Sequence, residues 1–243
     1  MTPALLALSE VSRSFGGVRA VSALSFAVAE GEIVGLIGPN GSGKTTVFNL
    51  ISGVFLPNDG TLTFAGERLV GRKPHQTCRL GIGRTFQIVQ PFNSLTVLDN
   101  VRVGAFRTIG NPRRATREAE AVLDLVGLAH KRDAQPPSLT IADRKRLELA
   151  RALATRPRLL LLDEVMAGLR PAETLEMIEL ARRIHASGVT LLVIEHVMRA
   201  VMSLSHRVVV LHHGEKIAEG TPQDVSRDPE VIRAYLGEEY RPA

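Results

Sequence analysis

The stretch Glu32–Ser52, EIVGLIGPNGSGKTTVFNLIS, constrains the chain more than any other. It opens on Ile33–Ile37, an apolar run short and β-branched enough to predict a buried strand. Gly38-Pro39-Asn40-Gly41-Ser42-Gly43 breaks that run, and Val47, Leu50 and Ile51 then resume it with helical spacing from Lys44 onward. Strand, glycine-rich loop and helix form the setting in which G-x-x-x-x-G-K-[ST] means a phosphate-binding loop. Without Cβ atoms in the way, the loop amides and the helix N-terminus can turn inward into a concave anion site. Lys44 offers a point charge to the β- and γ-phosphates, the Thr45 hydroxyl offers a ligand to Mg²⁺, and Thr46 follows in the first turn. A bound nucleoside triphosphate is the expectation.

Composition excludes several classes. A chain of 243 residues with 44% hydrophobic and 23% charged residues has enough material for one large domain or one domain with an inserted lobe. The net charge of +5 is modest, and Arg113-Arg114, Lys131-Arg132 and Arg144-Lys145-Arg146 are scattered instead of forming one basic face, so no nucleic-acid partner is expected. The lone Cys78 cannot form an internal disulfide, which fits a reducing compartment. The opening MTPALLALSE lacks the features of a signal peptide, and no run approaches the roughly 18 apolar residues of a membrane span. The expected protein is soluble and reaches a membrane only through a partner.

Taken in order, Leu6, Leu8 and Val11, then Leu24, Phe26 and Val28, predict two strands joined at Gly16-Gly17. Phe15, just before that turn, is either core or a ring for stacking on adenine. Thr61–Phe64 and Gly83–Gln87 predict further short strands, the second ending in a polar residue. Apolar spacing of three and four residues over Leu95–Val103, Arg117–Val126 and Arg144–Ala154 predicts a helical lobe. Thr96 is a candidate cap, and Gly110-Asn111-Pro112 and Gln135-Pro136-Pro137 stand as breaks.

From Pro157 the strand and helix alternation returns. Leu159–Leu162 runs directly into Asp163-Glu164, so an apolar strand delivers two carboxylates at its tip. In a P-loop protein the first suits the Mg²⁺ shell and the second can polarise a water. Glu173–Ile184 predicts a helix, and Val189–Ile194 a strand followed by Glu195-His196, where a γ-phosphate contact is expected of the histidine. Val208–Leu211 and Lys216–Glu219 predict a hairpin around His213-Gly214, and short helices follow from Thr221.

These residues together resemble the ATP-binding subunit of ABC transporters along essentially the whole chain. Gly38–Thr46 matches that family's phosphate loop, Gln87 its Q-loop glutamine, Leu159–Glu164 its acidic strand and His196 its switch histidine. Gly168–Glu173 stands at its D-loop, and Phe15 at its adenine-stacking aromatic. Arg84-Thr85-Phe86-Gln87, Leu95–Val101, Ile194-Glu195-His196 and the ending from Glu219 look most like the ATPases of branched-chain amino acid importers. A lipopolysaccharide-export ATPase shares part of that tail. The resemblance implies an α/β P-loop NTPase with a mixed core sheet, an antiparallel β subdomain and an inserted helical subdomain. It implies one nucleotide-binding domain over residues 1–243, with the helical insertion at about 88–156.

It further implies ATP hydrolysis with Mg²⁺, powering an importer from the cytoplasmic side of the inner membrane. Glu164 would be the general base, Gln87 and His196 the γ-phosphate sensors, and Thr45, Gln87 and Asp163 the metal ligands. The implied partners are two membrane permeases, a second ATPase subunit (identical or a sister chain) and, indirectly, a substrate-binding protein. The apolar Phe86, Ile88, Val89, Pro91 and Phe92 would meet the permeases, or simply pack as core. Urea or amide import and lipopolysaccharide export are alternative settings; a soluble P-loop kinase is the competing class.

The chain departs from the family at two places. Where the signature loop normally reads Leu-Ser-Gly-Gly-Gln, it has Leu139-Thr140-Ile141-Ala142-Asp143, and Val165 replaces the proline after the acidic pair. Thr140 keeps a hydroxyl and Ala142 a backbone N–H for the partner subunit's nucleotide. Asp143 is expected to repel that nucleotide unless Arg144 or Lys145 offsets it, leaving a weak, mainly monomeric ATPase.

Overall fold

The computed structural model describes residues 4–87 and 90–236. The chain begins β1 (Ala4–Phe15), β2 (Val18–Ala29), β3 (Ile33–Ile37), α1 (Lys44–Ile51), β4 (Asp59–Phe64), β5 (Glu67–Arg68) and α2 (Pro74–Leu80). It continues β6 (Ile82–Arg84), α3 (Val97–Ala105), α4 (Pro112–Val126), α5 (Ile141–Leu153), β7 (Leu159–Asp163) and α6 (Pro171–Ala186). Last come β8 (Thr190–Ile194), α7 (Met198–Leu204), β9 (Arg207–His212), β10 (Glu215–Gly220), α8 (Pro222–Arg227) and α9 (Pro229–Leu236). Two compact units result, one ending at Leu80 and resuming at Thr190, the other spanning Gly81–Val189.

In the first unit β1 and β2 turn at Gly16-Gly17, and β4 and β5 extend the pair into an antiparallel sheet. Leu8 faces Phe26 on one side and Leu62 on the other, all nearly inaccessible, so alternation sets the register by burying one face. A second group of strands surrounds β3, which pairs in parallel with β8 and β9, while β10 runs antiparallel to β9. Every residue of β3 and β8 is buried, as parallel strands covered on both faces require. Parallel and antiparallel pairing in one group make the mixed sheet that the sequence implied, and the β1–β2 hairpin group makes the antiparallel one.

The second unit holds β6 and β7 as a parallel pair, with α3, α4 and α5. Thr96 caps α3 by accepting from the Asp99 amide at 3.0 Å. Helix α4 begins at Pro112, ahead of the expected Arg117. Asn111 is its N-cap and Pro112 its first turn, so the residues taken for a break are a start signal.

Strand β6 stops at Arg84 and does not run on to Gln87. The Thr85 hydroxyl accepts from the Asp163 amide at 3.0 Å, replacing the next rung of the ladder and ending it. Helices α2 and α7 were not foreseen; each has 7 residues, too few turns for a periodic signal. Among the described residues no helix is long and apolar enough to cross a membrane.

Candidate functional site

The phosphate loop leaves β3 with Gly38 in the left-handed region, at φ +153°. A Cβ there would lie 2.1 Å from the Leu211 carbonyl oxygen, so any side chain would push β9 away from β3. Pro39, Asn40 and Gly41 rise to the surface, and Ser42 returns inward, 2% exposed, with its amide donating to the Pro39 carbonyl. Gly43 ends the loop at φ +104° as the N-cap of α1, and no side chain caps that helix. The first-turn amides, those of Thr45 and Thr46 included, therefore have no side-chain acceptor from the cap, and no acid sits in that turn. Lys44 is 6% exposed and its Nζ donates to the carbonyls of Gly38 at 2.7 Å and Pro39 at 3.0 Å. The ammonium is thus folded into its own loop, where phosphate oxygens would replace carbonyls as acceptors.

Strand β8 pairs with β3 so that Ile33 faces Leu191 and Gly35 faces Val193. His196 lies two residues past the end of β8, at the carboxyl end where parallel sheets present ligand-facing groups. His196 is exposed there, whereas the adjacent Glu195 is 1% exposed. Phe15 is 39% exposed, which decides against the core reading. Its ring meets Phe55 edge-on at 5.0 Å, and the Arg13 guanidinium stands 4.6 Å from its centroid.

In the second unit the register of β6 on β7 pairs Ile82 with Leu159 and Arg84 with Leu161. Extended by three residues it sets Gln87 opposite Glu164, and Gln87 Nε2 donates to Glu164 Oε2 at 2.7 Å. Glu164 has a left-handed backbone at φ +50°, a conformation that for a non-glycine residue marks a constrained site. Lys145, buried on α5, holds it by donating to the Glu164 carbonyl at 2.9 Å.

Asp163 is 3% exposed and pairs with Arg84 at 3.0 Å. Burial pushes its carboxyl above the usual carboxylate value, and the Arg84 hydrogen bond pulls part of the way back. The roles of Arg84 and Lys145 escaped the sequence reading: they act on the acidic pair from β6 and α5, and nothing in their local pattern points there.

The divergent loop is the start of α5. Thr140 is its N-cap and Asp143 its third helical residue, in a reciprocal capping box. The Thr140 hydroxyl donates to Asp143 Oδ2 at 2.7 Å and accepts from the Asp143 amide at 3.2 Å, so it is engaged within its own helix. Ala142 lies in the same first turn.

The cation that offsets Asp143 is neither of those expected. Arg144 donates to the Pro137 carbonyl and Lys145 to Glu164, while Lys131 reaches Asp143 Oδ2 at 2.5 Å. In the sequence Lys131 stood only as one of the scattered basic residues. Burial raises the Asp143 carboxyl, but the hydrogen bonds from Lys131 and Thr140 outweigh it, and the net shift is downward.

The apolar stretch after Gln87 is only partly visible, because Ile88 and Val89 lie outside the described residues. Phe86 and Phe92 are 52% and 45% exposed, against the core-packing reading, with the Arg84 and Arg151 guanidiniums over their rings.

Comparison with known proteins gives the family. The ABC transporter family model matches residues 21–167, and a second model, the branched-chain amino acid ATP-binding cassette transporter, matches residues 215–241. The high-affinity branched-chain amino acid transport ATP-binding protein LivG of Salmonella typhimurium is 41% identical over 254 aligned residues, covering 98% of this chain and all of that protein. BraF of Pseudomonas aeruginosa, carrying the same description, is 38% identical with the same coverage. Among solved structures, an ATP-binding cassette of an ABC transporter in its ADP conformation superposes with a TM-score of 0.88 at 30% identity, covering 98% of this chain and all of that one. A nucleotide-free cassette gives 0.88 at 29%, covering 97% and 100%. The chain belongs to the ABC transporter family, as one of its ATP-binding cassettes.

Proposed function

We propose that this cassette hydrolyses ATP to power an importer of branched-chain amino acids, docked on the cytoplasmic side of the inner membrane through two permeases. The observation that carries the chemistry is the constrained Glu164, one residue past β7, with the Gln87 amide on its carboxylate. Glu164 takes the proton of the attacking water, and Gln87 and His196 sense the γ-phosphate. Lys44 and the amides of Gly38–Thr46 hold the phosphates, and Phe15 stacks on adenine. Phosphoryl transfer to water asks for positioning and charge stabilisation more than for covalent chemistry, which suits this set.

Mg²⁺ fits the donors present. It takes hard oxygens and is content with one or two protein groups plus substrate phosphates. Thr45 and Asp163 supply such oxygens, as does the Gln87 carbonyl, whose amide nitrogen is the end turned to Glu164. The ion would neutralise charge developing on the β- and γ-oxygens.

A second ATPase subunit, identical or a sister chain, supplies the signature loop facing each nucleotide, with Thr140 and the Ala142 amide in that role here. The exposed Phe86 and Phe92 suit a permease contact. The cargo follows from the LivG and BraF relatives and from the match at 215–241; a substrate-binding protein delivers it. The test is uptake of labelled leucine, urea and a short amide in cells carrying wild type or Glu164→Gln. Loss of leucine uptake alone is expected; loss of urea or amide uptake in its place would overturn the assignment of cargo.

A further inference from the structure

Arg13 carries a positive charge that no carboxylate answers. Among the described residues it forms no ion pair, and its Nε is buried without a hydrogen-bond partner. What the guanidinium faces is aromatic, with the Phe15 centroid at 4.6 Å and the Phe55 centroid at 5.8 Å. Both fall within the roughly 6 Å at which a cation is drawn to the negative face of a ring. Arg13 and Phe15 are two residues apart on β1, so strand alternation sets both on one side. An unpaired buried donor costs stability, and the guanidinium is held against that cost by the rings and by one hydrogen bond. Its Nη1 donates to the Leu56 carbonyl at 3.0 Å.

That bond ties the rings to the helix of the phosphate loop. Leu56 belongs to the segment after α1, where the amides of Val54 and Phe55 both donate to the Asn49 carbonyl on α1, at 2.9 and 3.0 Å. The same segment grips the end of β1. Asn58 Oδ1 accepts from the Ser14 amide at 2.8 Å, and the Asn58 amide donates to the Ser12 carbonyl at 2.8 Å. Phe15, Phe55 and Arg13 thus form one block hung from α1, with the Phe15 ring still exposed.

We propose that Arg13 is a positioning residue of the adenine site: it backs one face of the Phe15 ring, fixes that ring relative to α1, and improves the other face for stacking. The inference rests on the reading of Phe15 as the ring that stacks on adenine, and deepens it. Two stacked π-systems turn negative faces to each other, and a cation behind one of them offsets that repulsion. The bond to Leu56 sets how far the base stands from the phosphates that the start of α1 would hold. No nucleotide contact is asked of Arg13; it acts through Phe15.

The experiment titrates MgATP and magnesium tripolyphosphate by calorimetry into wild type, Arg13→Gln, Arg13→Lys and Phe15→Ala, with thermal melts to show each variant folded. Tripolyphosphate engages the phosphate loop and has no base to stack. Glutamine keeps a donor for the Leu56 carbonyl and removes the charge, whereas lysine keeps both. Arg13→Gln should weaken MgATP about two- to fivefold and leave tripolyphosphate unchanged, and Arg13→Lys should recover most of the loss. Phe15→Ala should weaken MgATP further, again without effect on tripolyphosphate. If Phe15→Ala loses MgATP affinity while Arg13→Gln binds it like wild type, Arg13 only packs and the proposal falls. Equal weakening of MgATP and tripolyphosphate by Arg13→Gln would make the effect one of folding and overturn it too. A lysine variant as weak as the glutamine one would remove the charge from the argument and overturn it as well. Wild-type MgATP affinity in Phe15→Ala would bring down the adenine-stacking reading itself, and the proposal with it.

Discussion

Gln87 and Glu164 lie 77 positions apart in the sequence, and the Gln87 amide donates to the Glu164 carboxylate across 2.7 Å. The parallel register of β6 on β7 already aligns them, and the left-handed turn at Glu164 brings the carboxylate round to meet the amide. Holding a non-glycine residue there costs on the order of 1–3 kcal/mol, which the Lys145 bond to its carbonyl helps to offset.

Glu164→Gln keeps the shape of that pair and removes the proposed base. MgATP affinity should stay within about twofold of wild type, while hydrolysis falls by roughly 10²- to 10⁴-fold. Phosphate release in single-turnover experiments, beside a binding titration, reads both. Wild-type turnover in the variant would place the base elsewhere.

Arg84 and Asp163 form a nearly dry ion pair, their side chains 8% and 4% exposed. Arg84→Ala leaves a buried carboxylate without its partner and should cost about 3–5 kcal/mol, a drop in melting temperature on the order of 10 °C. Replacing both residues with apolar ones of similar size, Arg84→Met with Asp163→Leu, should restore most of the melting temperature while hydrolysis stays lost. Recovery of hydrolysis in the double variant would remove Asp163 from the metal site.

Much of this was legible in the sequence because the signals are local. The phosphate loop needs glycines at fixed offsets and Lys44 next to the helix start, and the four leucines before Asp163 need a strand buried on both faces. Phe15 was left open because exposure at a hairpin end depends on what packs beside it, here Phe55 and Arg13. The partners of Arg84, Lys145 and Lys131 were invisible for a related reason. Each long cationic side chain finds its partner 12 to 79 residues away. Spacing within a helix shows which face such a residue occupies, not what another element brings to that face. Asn111-Pro112 shows the reverse error: its chemistry was local, but a turn signal and a helix-start signal use the same residues.

The Asp143 carboxylate gives the loop an acid-sensitive cap. Its proton affinity is lower in the folded protein than in the unfolded chain, so the folded state favours the ionised form. The contribution is present above the unfolded carboxylate value, near 3.8, and is lost as the pH falls through the lower folded value. Thermal melts from pH 7 down to 3 should show wild type losing more stability than Asp143→Asn over the acidic end of the range. Parallel curves for the two proteins would remove Asp143 from the acid response.

If the divergent loop faces a partner's nucleotide as proposed, the same ion pair should set the charge it presents. Asp143 had been expected to repel the phosphates, but Lys131 sits on its Oδ2, so the loop presents a neutral pair at the N-terminus of α5. Both side chains are partly exposed, 33% for Lys131 and 14% for Asp143, so the balance of charge should be felt, though screened by salt. Lys131→Gln exposes the carboxylate and should weaken MgATP-driven dimerisation severalfold. Asp143→Gln leaves the ammonium and should strengthen it, even though helix α5 loses part of its cap, worth about 1 kcal/mol. The double variant should return close to wild type, because both removed charges belonged to one pair. Light scattering with MgATP in the Glu164→Gln background, at low and high salt, orders the four proteins. If Lys131→Gln dimerises as well as wild type at low salt, the charge at this loop has no part in assembly. If the double variant follows Asp143→Gln instead of wild type, the cap governs and the ion pair does not.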